Sequence, residues 1–176
     1  GTFTFLDVPQ GSYTLSLPPP SDNLPGPPQD LPRLWTDARI VANADDIRDL
    51  TVTVRDGVRV SGRVVFTGAT AQPSATDIAK TTVRLDRTDG RFVGTCPRTT
   101  VARDGALSLA HCAPGRYFVS AYNVPVGWVM ASAMLDGVDV SQSPFVLGTT
   151  DLDDLVVTFT DSHTHLSGTL TDDTGH

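Results

Sequence analysis

Glutamate is absent from this 176-residue chain, and lysine occurs once, at Lys80. Both are good helix formers, whereas the 20 aspartates favour turns and caps. No stretch carries a helical apolar stripe with caps at its ends. No apolar run is long enough to span a bilayer, and no signal peptide is evident. Only two cysteines, Cys96 and Cys112, are present. With 13 basic residues against 20 acidic ones, the net charge is −7, which argues against nucleic acid as a partner. What is abundant is Gly, Pro, Thr and Val, the composition of short strands joined by tight turns.

The chain also matches itself. Gly1, Gly11 and Tyr13 return as Gly105, Gly115 and Tyr117, 104 positions on. Trp35, Asp46 and Ile47 fall on Trp128, Asp139 and Val140, and Asp49-Leu50-Thr51-Val52-Thr53-Val54 falls on Asp154-Leu155-Val156-Val157-Thr158-Phe159. Val60-Ser61-Gly62-Arg63-Val64 returns as Leu166-Ser167-Gly168-Thr169-Leu170. The offset changes at two places, the Pro-rich run 17–33 and the stretch 141–151, as expected of surface loops. A self-match of this period predicts tandem modules. Residues 57–160 are expected to form one complete module, 1–56 the back part of a preceding one, and 161–176 the first strand of a following one. With Gly1 rather than Met at its start, the chain is expected to be a segment of a longer polypeptide or a processed subunit.

Period-two alternation predicts half-buried antiparallel strands at 58–65, 82–86, 107–109, 117–119 and 157–159. Leu107 and Leu109 are expected to pair with Tyr117 and Val119 on the next strand. Asp89-Gly90, Asp104-Gly105 and Asp136-Gly137 read as turns. About seven short strands in roughly 100 residues predict a two-sheet, immunoglobulin-like sandwich.

Arg103-Asp104-Gly105-Ala106-Leu107-Ser108-Leu109 followed by Pro114-Gly115-Arg116-Tyr117-Phe118-Val119 resembles the core pattern of carboxypeptidase-regulatory-like domains. Gly1 to Leu15 repeats that pattern, and Val60 to Val65 resembles the opening strand of those domains. The segments around Trp128, Asp136-Gly137 and Asp154-Leu155-Val156-Val157 are similar to long multi-repeat exported proteins of soil bacteria. The resemblance implies an all-β fold of tandem transthyretin-like (prealbumin-like) antiparallel sandwiches. It brings no catalytic residues, so no enzymatic role is expected.

Cys96 and Cys112 each lie eight residues from Asp104. A three-residue loop centred there would put them opposite each other on adjacent strands, close enough for a disulfide and hence for an oxidising compartment; two buried free thiols are the alternative. No cofactor is expected. The weaker metal candidates are Asp151, Asp153 and Asp154, with Asp45, Asp46 and Asp49 at matching places, as a Ca²⁺ junction, and His163 with His165 on one strand face. Lys80, the sole lysine, is expected at the surface rather than in an internal cross-link. Trp35 and Trp128 are expected to pack in a core or between modules.

Together these readings predict a non-enzymatic structural module of a bacterial extracellular or cell-surface stalk or filament. Its partners would be neighbouring modules or identical subunits, with strand sharing as one route of assembly. The alternative is a glycan- or protein-binding accessory module of a secreted enzyme or outer-membrane receptor.

Overall fold

The computed structural model describes residues 1–17, 34–43, 45–89, 96, 99–162, 164, 166–170 and 172. The strands among them are β1 (Gly11–Ser16), β2 (Leu34–Trp35), β3 (Asp37–Ala42), β4 (Arg55–Asp56), β5 (Val58–Thr67), β6 (Thr82–Arg87), β7 (Thr99–Thr100), β8 (Ala106–Cys112), β9 (Gly115–Tyr122), β10 (Val129–Leu135), β11 (Val138–Asp139), β12 (Phe145–Leu147) and β13 (Leu152–Thr160). A single helical turn, α1 (Ala75–Ile78), precedes β6. Ser74 caps it by accepting the Asp77 amide at 3.1 Å. One turn is too short to leave a periodic apolar signature, which is why the sequence shows none.

Two larger sheets carry the fold. The first has the order β11-β10-β13-β5-β8 and the second β12-β9-β6-β7. In β5, alternation buries Val58, Val60, Val64 and Phe66 on one side. In β13 it buries Leu155, Val157 and Phe159. These side chains share one core with Val83 and Leu85 of β6, Tyr117 and Val119 of β9, and Phe145 and Leu147 of β12. A single core drawn from both sheets makes a β-sandwich. Phe66, Trp128 and Phe159 form an aromatic knot in it, with Phe66 edge-on to Trp128 at 5.1 Å and stacked on Phe159 at 5.0 Å.

The sheet partners differ from the expected ones in two respects. First, β8 and β9 do not form a hairpin. Leu107 and Leu109 lie in one sheet and Tyr117 and Val119 in the other, facing across the core. Ala113 and Pro114 carry the chain between the layers, just after His111, whose φ is 61°. Second, the ladders are not all antiparallel: β5 and β13 run parallel, with Val60 beside Leu152 and Thr67 beside Thr160. Alternation tells which side of a strand faces the core; it is silent on which strand lies beside it.

The turns follow their sequence signals. Asp136-Gly137 is a two-residue hairpin with both φ angles positive, 49° and 77°, the mirror-image turn that matches strand twist. At Arg103-Asp104-Gly105 the Gly105 amide bonds Ala102 O (2.9 Å) and the Ala102 amide bonds Ala106 O (2.7 Å). Gly105 takes φ +87°, where a side chain would also press on Val64 O at 2.9 Å. Gly90 of the third turn signal lies outside the described residues.

Residues 1–56 contribute two short ladders, β1 with β3 and β2 with β4. Several of their local geometries recur at the positions aligned by the self-match. The Tyr13 hydroxyl donates to Pro9 O at 2.7 Å, as Tyr117 does to Ala113 O at 2.6 Å. Asp7 and His111 share a positive φ, 55° and 61°, and so do Asp49 and Asp154, 57° and 66°. The pairing does not recur. β1 aligns with β9 and β3 with β10, which lie in opposite sheets, yet β1 pairs directly with β3. β9 is held by β6 and β12, and nothing in residues 1–56 aligns with β6.

Candidate functional site

The covalent feature is the Cys96–Cys112 disulfide. Both residues are buried and their Cα atoms are 4.1 Å apart. The expected three-residue loop is present, but the strands beyond it part. Past Ala102, β7 pairs with β6 in the four-stranded sheet, while β8 stays with β5 in the other. The disulfide therefore joins Cys96, which precedes β7 in the chain, to the last residue of β8. Closing a loop of separation 16 is worth about 3 kcal/mol in the chain-entropy account.

The aspartates singled out for a metal do not converge. Asp151 accepts the Arg59 amide at 2.8 Å and faces its guanidinium at 3.8 Å. Asp153 accepts from the Ser61 hydroxyl. Asp154 has the positive φ of a bulge, where the β5–β13 register shifts between Leu152 and Leu155. The carboxylates of Asp151 and Asp153 are thus met by donors of β5. Asp46 pairs with Arg48 at 2.8 Å. Among the described residues, no three His, Cys or Asp side chains are placed to hold a metal ion. His163 and His165 lie outside the described residues.

Other titrating groups serve the fold. The Asp139 carboxyl is held below its ordinary value by the Ser141 amide, at 2.9 Å. Asp161 is lowered by the Thr70 amide, at 2.6 Å. Asp77 is lowered by hydrogen bonds from Lys80 and Ser74. Lys80 thus lies at the surface in an ion pair with Asp77 at 2.8 Å. Burial pushes the Tyr117 phenol up, while Arg87 over its ring at 5.8 Å works the other way.

Trp128 is 8% exposed, so its ring faces are taken up by the core and offer no platform to a sugar. Trp35 is half-buried, and its indole N–H donates to Asp56 O at 3.1 Å, bracing the segment just before β5.

The geometry with most mechanical content is one the residue patterns did not disclose. β5 and β13 are the first and last strands of the sandwich, and they are neighbours in parallel. Gly62 makes that contact close: a Cβ there would lie 1.9 Å from Leu155 O. The sequence signal for it is the Ser61-Gly62 pair, which returns as Ser167-Gly168. Comparison with family models, with curated proteins and with solved structures returned no match.

Proposed function

We propose that residues 57–160 are a load-bearing structural module of a linear array, exported by a bacterium and displayed at or beyond the cell surface. Tandem sandwiches of the carboxypeptidase-regulatory-like, transthyretin-like kind are the fold proposed for that array. The observation that carries the reading is the parallel β5–β13 pair. The chain comes in at Val58 and leaves at Thr160, next to Thr67, so the two ends are separated by the ten residues of β5, about 30 Å. Modules joined this way line up rather than double back. Only Gly57 separates β4 from β5, which leaves little slack at the junction. Tension between neighbours acts along the strands, so the backbone hydrogen bonds of the ladder are loaded in shear and must fail together. The buried disulfide suits an oxidising compartment.

The alternative of a glycan-binding accessory module has less to stand on, because the tryptophan it would use is in the core.

Single-molecule pulling tests the proposal with an internal control. Handles at Asp56 and Ser162 load the ladder in shear; handles at Asp56 and Thr150 peel it from one end. The shear geometry is expected to need a several-fold higher force. Equal forces in the two geometries would refute a load-bearing role. Reduction should lengthen the unfolded chain by about 5–6 nm, the span of the 16-residue separation released from the disulfide.

A further inference from the structure

On the load-bearing reading, tension reaches the module at Val58, and the first strand it meets there is the end of β8. Among the described residues Val58 has a single ladder partner, Cys112. The ladder with β13 begins further on, where Leu152 lies beside Val60. The contact with β8 is close: a Cβ on Gly57 would run into the His111 backbone. Val58 and Cys112 are both buried. Left to itself, this end of β8 is a weak anchor. Among the described residues β8 is the last strand of its sheet, with β5 as its only neighbour there. A bulge also cuts Cys112 off from the rest of the ladder. Between Val58 and Val60 the register slips from Cys112 to Leu109, and His111 sits in the slip with φ 61°. A strand end beyond a bulge frays apart from the ladder before it.

The disulfide supplies what the ladder lacks. It bonds Cys112 to Cys96, and the chain from Cys96 continues into β7, where Thr99 pairs with Val83 of β6. Just beyond, the Val101 amide donates to Thr81 O at 2.9 Å. By way of the chain, the end of β8 is thus covalently bound to a strand of the four-stranded sheet. The hydrogen bond from the Tyr117 hydroxyl to Ala113 O, at 2.6 Å, is the noncovalent hold beside it.

We infer that the Cys96–Cys112 disulfide is a redox latch on the load path. Closed, it holds the anchor of Val58; opened, it lets that anchor leave with β5 at a lower force. Burial decides when it opens. At 4% and 0% exposure, Cys96 and Cys112 are shut away from reductant while the module is folded. Once load has unfolded the module, a small dithiol cleaves the S–S bond. The electron pair and the protons pass to the two cysteines, and the dithiol becomes a disulfide itself. The module that refolds carries two thiols and a weaker anchor, so opening in reducing surroundings leaves it softer than before. A disulfide away from the load path behaves differently. In the chain-entropy account it acts on the unfolded chain alone, so its loss slows refolding and leaves the unfolding force unchanged.

This inference rests on the load-bearing reading, and repeated pulling of single molecules between Asp56 and Ser162 in dithiothreitol tests it separately. The first opening is expected at the force seen without reductant. Once the unfolded length shows that the bridge has gone, later openings should be about tenfold faster at a given force, as for a ladder short of about one hydrogen bond. Gly57→Ala is read on the oxidised protein and needs no refolding of the reduced chain. It presses on His111 and loosens the same anchor, so it should also speed opening, and should add little once the bridge is reduced. Openings equally fast before and after loss of the bridge overturn the latch. So does a Gly57→Ala protein that opens at the unaltered rate, or a first opening in reductant that already comes at the lower force. A force in shear no higher than in peeling sinks the load-bearing reading and the latch with it. A higher force in shear that reduction leaves unchanged sinks the latch alone.

Discussion

Tyr13 and Tyr117 make the same hydrogen bond in different surroundings, and removing the hydroxyl from each measures what burial adds. Tyr117 is fully buried and donates to Ala113 O, itself buried, at 2.6 Å. Tyr117→Phe keeps the ring against Phe145, 6.3 Å away between centroids, and removes only the donor. A buried carbonyl deprived of its partner costs about 1–3 kcal/mol. At the middle of that range the fall in Tm is about 10 °C for a unit near 100 residues. Tyr13 is 38% exposed and donates to Pro9 O at 2.7 Å. Water replaces its hydroxyl, so Tyr13→Phe should cost less than about 0.5 kcal/mol. Calorimetry or chemical denaturation followed by tryptophan fluorescence, which reports on buried Trp128, reads both variants. Equal losses from the two substitutions, or none from Tyr117→Phe, would show that the buried bond is not what holds the β8–β9 crossing in place.

Two further outcomes follow from the polar groups. Thr81 is fully buried and its hydroxyl has no hydrogen-bond partner among the described residues; Thr81→Val keeps the shape and should raise stability by about 1 kcal/mol in urea titrations. Stability should also fall at both ends of the pH scale. Asp77, Asp139 and Asp161 have folded-state values below the ordinary 3.8, so their contributions are present above that pH and lost as it drops further. Tyr117 has a folded-state value above the ordinary 10.0, so its contribution is complete below pH 10 and lost as pH climbs past it. Melting followed from pH 2 to 12 should show both losses, and Tyr117→Phe should blunt the alkaline one.

Local features were readable from the sequence because they depend on a few adjacent residues. Asp136-Gly137 makes its tight hairpin, and Arg103-Asp104-Gly105 makes its three-residue loop, because glycine takes a positive φ without strain. The aligned tyrosines share their hydrogen bond because each spans only four residues. Partner choice is different. Leu107 and Tyr117 alternate as neighbours in one sheet would, and the same alternation serves two strands facing across a core. The parallel β5–β13 ladder joins residues far apart in the chain, and no local pattern encodes it. The cysteines fall between these cases. Their symmetry about Asp104 pointed to proximity, whereas the parting of β7 and β8 into opposite sheets lay in distant partners.

The same pairing of first strand with last sets the order of folding. Arg59 bonds to Asp151, 92 residues on, and Ser61 to Asp153. β5 must wait, with its flank unfilled, until nearly the whole stretch has left the ribosome. Closing so long a loop is slow, and contacts of this range lower folding rates. During that wait the edge of β5 that β13 will take stands unpaired, the kind of edge through which a folding chain misassembles.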